Sequence, residues 1–89
     1  MMETMTRKKL IGRYIVTDPE ICHGKPTFRG TRIMVSQVLQ QVAGGMAWET
    51  IVNEWSGKVS KAAIAEAVSL AAQSFSDYAD QYAIELQPA

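Results

Sequence analysis

The ten residues Gly24-Lys25-Pro26-Thr27-Phe28-Arg29-Gly30-Thr31-Arg32-Ile33 constrain this chain more than any other stretch. Proline fixes its own φ and lacks an N–H, and glycine samples φ > 0, so a helix is excluded there. Thr27-Phe28-Arg29 and Thr31-Arg32-Ile33 have the β-branched and aromatic composition of strands and flank Gly30. This pattern predicts two extended pieces meeting at a bend or bulge. Arg29 and Arg32 then project from a rigid support. Guanidinium forks held in that way suit carboxylates or phosphates, on a protein or on nucleic acid.

At 89 residues the chain makes one domain, near the small end of what folds unaided. Its hydrophobic content of 47% is more than one small core hides. Surplus apolar surface in a short chain goes into a dimer interface, so a homodimer is expected. A single cysteine rules out an internal disulfide, which fits a reducing cytoplasm. No apolar run approaches the roughly 20 residues that span a bilayer. The apolar stretch after Arg7-Lys8-Lys9 is too short for a signal peptide, so no membrane partner is expected.

Net charge is zero but unevenly distributed. Residues 1–35 hold Arg7, Lys8, Lys9, Arg13, Lys25, Arg29 and Arg32 against Glu3, Asp18 and Glu20. The remainder holds Lys58 and Lys61 against Glu49, Glu54, Glu66, Asp77, Asp80 and Glu85. A basic front suits nucleic acid or an acidic protein, and an acidic back suits a basic one. Two solvated faces that orient a dimer account for the same pattern.

Residues 1–9 read as a frayed tail and 13–35 as a β-rich lead-in. Residues 36–72 read as a helix-turn-helix core, and 73–86 as a helical extension. Tyr14-Ile15-Val16 is a strand candidate ended by Asp18-Pro19. Ser36 is a candidate N-cap for a helix over Gln37–Ala43, which Gly44-Gly45 would stop. Trp48, Ile51, Val52 and Trp55 recur at i, i+3, i+4, i+7, one apolar helix stripe. Ser60 caps a third helix, whose seam is Ile64, Val68, Ala71, Phe75, Tyr78 and Tyr82. Continuous from Lys61 to about Ala83 it would run roughly 35 Å. Ser74 and Ser76 could instead restart a fourth helix near Asp77. The expected fold is therefore α+β: a short N-terminal β-hairpin region, then a three-helix, homeodomain-like helix-turn-helix core with an extended C-terminal helix.

No catalytic constellation emerges, so a non-enzyme without cofactor is expected. His23 is the single histidine, and in extended structure it would point away from its neighbour Cys22, which argues against a metal site. For nucleic acid, the start of the third helix offers only Lys58, Ser60, Lys61 and Ala65 to a major groove. Candidate nucleic-acid or partner contacts are Arg29, Arg32, Lys25, Lys58 and Lys61. Candidate dimer or partner contacts are Phe75, Tyr78 and Tyr82.

Asp18-Pro19-Glu20-Ile21, Gly24-Lys25-Pro26 and Arg29-Gly30-Thr31-Arg32-Ile33 resemble the signature of the 433 family of domains of unknown function. The resemblance continues through Gly45 and the helix from Trp48 to Trp55. Met34 stands where that pattern often has proline, and Ser56-Gly57-Lys58 where a proline and an apolar residue are usual. The resemblance implies a small bacterial helix-turn-helix homodimer, the antitoxin of a PIN-type ribonuclease toxin, that also binds operator DNA to repress its own operon. The alternative is a structural dimerisation or protein-interaction module with no nucleic-acid role.

Overall fold

A computed structural model describes residues 8–82. A three-stranded antiparallel sheet comes first: β1 (Lys9–Leu10), β2 (Ile15–Thr17) and β3 (Thr27–Phe28), in the order β1-β2-β3. Lys9 pairs with Thr17 and Leu10 with Val16, while Ile15 pairs with Phe28 and Val16 with Thr27. Four helices follow: α1 (Val35–Ala43), α2 (Trp48–Glu54), α3 (Lys61–Asp77) and the short α4 (Ala79–Tyr82). The expected α+β class with a helical core holds. No helix among the described residues is long and apolar enough to cross a membrane.

Three expected boundaries shift, each for a local reason. Lys9 is not tail but strand, because its register with Thr17 adds a third strand to the hairpin region. Residues 1–7 of the expected tail, and 83–86 of the expected extension, lie outside the described residues. The first helix starts at Val35 rather than after Ser36. Gln37 Oε1 accepts from the Met34 N–H at 3.0 Å, and the Val35 N–H donates to the Pro26 carbonyl at 3.0 Å, so the chain is already anchored there. The long seam breaks at Tyr78 (φ −123°), one residue past Asp77, as the serine-bearing alternative anticipated. Ser60 caps α3 as expected, its Oγ accepting from the Ala63 N–H at 3.1 Å.

The core joins sheet to helices. Ile15 and Phe28 from the sheet meet Val38 of α1, Ile51 of α2, Val59 of the following turn and Ile64 of α3, all buried. Helices α1, α2 and α3 pack on one another. Each helix presents one apolar face, and burying that face is what holds a short helix in place. Trp48, Val52 and Trp55 are half-buried against this core, so the tryptophans belong to it.

Thr27 is fully buried, and its hydroxyl has no hydrogen-bond partner. A buried unpaired hydroxyl costs its full desolvation, so Thr27→Val is expected to stabilise the fold by about 1 kcal/mol. Urea unfolding measures it directly; a loss of stability would mean that the hydroxyl is paired.

A basic groove where sheet, loop and helix turn meet

Phe28 and Ile33 close the segment 28–33 on itself, with the Phe28 N–H donating to the Ile33 carbonyl at 3.0 Å. Within it, the Thr31 N–H donates to the Phe28 carbonyl at 3.0 Å, making a β-turn with Gly30 in its third position at φ +82°. A type II turn needs positive φ there, which is the bend that the sequence predicts at this glycine. Thr31 locks the turn twice: its hydroxyl donates to the Phe28 carbonyl at 2.8 Å and accepts from the Ile33 N–H at 2.9 Å. The Arg29 N–H donates to the Tyr14 carbonyl of the neighbouring chain segment at 2.7 Å. The loop bearing both arginines is therefore fastened to the residue just before β2 and to itself.

Gly30→Ala tests that lock. An added Cβ meets nothing within 4 Å, so the whole penalty is left-handed backbone. The expected loss is about 1–2 kcal/mol, read by chemical denaturation. A neutral result would mean that the turn relaxes freely.

Both guanidinium groups are exposed, and among the described residues neither makes a hydrogen bond or ion pair. They line an open groove of about 1350 Å³ together with Lys58 from the α2–α3 turn and Lys8 beside β1. Leu10, Val16, Ile21, Ile33 and Trp55 give the groove its apolar lining. Two carboxylates lie in it, Asp18 and Glu54. Asp18 is largely spent: one oxygen accepts from the Glu20 N–H at 2.9 Å and the other faces the Lys8 ammonium at 3.9 Å. Four cations against two carboxylates leave the groove positive, and the apolar lining lowers the local dielectric around its charges.

The expected contact residues thus divide. Arg29, Arg32 and Lys58 come together in the groove, although about thirty positions separate the loop from the turn. Lys25 is exposed but lies outside the groove lining. Lys61 also lies outside it and is engaged elsewhere, its ammonium 2.7 Å from Glu49 Oε2. That hydrogen bond is the main reason the Glu49 carboxyl titrates below its ordinary value of 4.5. Phe75 and Tyr78 are exposed, at 63% and 53%, on the end of α3 and just beyond it. Tyr82 ends α4, and its side chain lies outside the described part.

Cys22 and His23 sit in a 3-10 turn, both left-handed at φ 52° and 58°. The Cys22 thiol donates to the Arg32 carbonyl at 3.4 Å, bracing the arginine loop from behind, while His23 is exposed. Among the described residues no group of three or more His, Cys, Asp or Glu could hold a metal ion.

Sequence reasoning missed Trp55, Glu54 and Lys8 as groove residues. Trp55 was legible only as core stripe; its Nε1 donates to Gln41 Oε1 at 2.8 Å, which fixes the ring between core and groove.

Sheet, helical core and groove together define a small α+β domain with an unpaired basic cluster at the junction of its layers. The chain belongs to the family described as Protein of unknown function (DUF433), whose model matches residues 15–71. That span contains Arg29, Arg32 and Lys58 and stops within α3, before Phe75 and Tyr78. No curated protein and no solved structure matches the chain.

Proposed function

We propose that this chain is a non-enzymatic, cytoplasmic, dimeric helix-turn-helix protein of antitoxin type. In this reading it grips an acidic segment of a PIN-type ribonuclease in the Arg29–Arg32–Lys58 groove. The observation that carries the reading is that three cations from two separate elements converge unspent on an apolar-lined groove. Such a groove offers forked hydrogen bonds to carboxylates and an apolar bed for the residues between them.

The reading expects a small PIN-type ribonuclease gene beside this one. Adding the wild-type chain should stop that enzyme from cleaving RNA at a stoichiometric ratio, and the double variant R29E/R32E should relieve the block. A neighbouring gene of another kind, or inhibition untouched by the double variant, would overturn it.

A second reading, autorepression through operator DNA, is favoured by the exposed guanidiniums alone. The helix face that would enter a major groove speaks against it. Ser60 is used as a cap, Lys61 is paired with Glu49, and Ala62 and Ala65 carry no polar group. If DNA is bound, affinity should fall steeply with salt, and Arg29→Ala should flatten the log–log slope by about one unit. Filter binding across a salt series measures the slope. Absence of binding at low salt removes the repressor reading and leaves a protein-interaction module.

A further inference from the structure

Beyond Lys61 the chain contains no lysine or arginine. Its last part, Asp77-Tyr78-Ala79-Asp80-Gln81-Tyr82-Ala83-Ile84-Glu85-Leu86, alternates three acids with aromatic and aliphatic residues. This composition is the complement of the groove, which sets cations around an apolar lining. We infer that the groove of one copy receives the acidic Asp77–Leu86 segment of a second copy, giving a two-fold dimer with two reciprocal contacts. The inference rests on the reading of the groove as an acceptor for acidic segments; the tail of the second copy occupies it in the free protein and gives way to the ribonuclease segment in the complex.

Reach decides between the same chain and another. Lys58 lies just before the start of α3, whereas Asp77 is its last residue, 17 positions into the helix. At about 1.5 Å per residue that is roughly 25 Å of rigid rod. Asp80 is three residues further on, and even a fully extended chain returns only about 10 Å over that distance. Neither Asp77 nor Asp80 reaches the groove of its own chain, and these two are the carboxylates that the exchange requires. The groove of a second copy has no such restriction, and a two-fold axis makes the exchange reciprocal, burying Tyr78 twice.

The test is a charge swap on the full-length chain, followed by sedimentation equilibrium at low salt. The wild type should be a dimer. R29E/R32E should weaken self-association about tenfold or more, and D77K/D80K should do the same. An equimolar mixture of the two variants should regain near-wild-type association, because each groove then meets a tail of opposite sign. A monomeric wild type at 100 μM (about a tenfold excess over a 10 μM dissociation constant), or either variant dimerising like the wild type, would overturn the proposal. So would a mixture that stays monomeric. Circular dichroism checks that each variant is folded. If a reversed pair unfolds, R29Q/R32Q and D77N/D80N should each weaken the dimer, and no weakening overturns the proposal equally. Lost ribonuclease inhibition in R29E/R32E with unchanged self-association would remove this inference while leaving the functional reading intact.

Discussion

Phe28→Ala is expected to lower stability by about 3–5 kcal/mol, a large part of what a domain of this size possesses. Phe28 is 2% exposed and is among the largest fully packed side chains of the core, where it joins sheet to helices. Truncation leaves a void lined by neighbours that are themselves anchored, so the site collapses poorly. The same residue also frames the arginine loop. Its N–H donates to Ile33, and its carbonyl accepts from both the N–H and the hydroxyl of Thr31. Those bonds use backbone atoms that Phe28→Ala keeps, so the loss is one of packing, and Phe28→Leu, which retains much of the apolar bulk, should cost clearly less. Urea denaturation supplies both numbers. A loss below about 1 kcal/mol for Phe28→Ala would mean that the core is not assembled around this ring.

Glu66→Ala is the second large effect, at about 2–3 kcal/mol. The carboxylate of this α3 residue reaches back to the β1–β2 turn. It accepts from the Arg13 N–H at 2.8 Å and from the Tyr14 N–H at 2.7 Å, one on each oxygen. Those two N–H groups lose their acceptor together. Gly12 leaves the room for this: an added Cβ would stand 2.6 Å from Glu66 Cδ and 2.7 Å from each oxygen. Gly12→Ala must therefore displace a carboxylate that two hydrogen bonds hold in place, and its cost should be of similar size. The two changes should not add. Once Glu66 is Ala, the three atoms nearest the added Cβ are gone and the cost of Gly12→Ala should fall, so a double-mutant cycle should return a coupling above about 1 kcal/mol. Additivity to within about 0.5 kcal/mol would show that the carboxylate does not clamp the turn.

Contacts close in sequence were legible before the structure, and those distant in sequence were not. The bend at Gly30, the stop at Gly44-Gly45, the Trp48–Trp55 stripe and the Ser60 cap are each decided within about four residues. The break after Asp77 was legible as an alternative for the same reason. Glu66 read only as part of an acidic half, because its partners lie 52 and 53 residues away and are backbone groups that any sequence possesses. Lys61 reads as a nucleic-acid or partner contact because nothing in its own neighbourhood reveals that α2 brings Glu49 beside it. The start of α1 is set two residues before Gln37 because the Val35 N–H bonds to the distant Pro26 carbonyl and Gln37 reaches back to the Met34 N–H, contacts that a serine N-cap pattern does not reveal. The candidate site shows the same division. The stiffness of the arginine loop was visible in its glycines, proline and threonines, but its convergence with Lys58 depends on how sheet and helices stack.

Arginine-selective modification with phenylglyoxal, read peptide by peptide by mass spectrometry, tests the groove most directly. Dilute free chain and chain saturated with the proposed ribonuclease partner are compared. Arg29 and Arg32 should react readily when free and become protected in the complex, while Arg13, exposed outside the groove, reacts equally in both. Protection of Arg13 with Arg29 and Arg32 still reactive would place the binding face elsewhere and contradict the account.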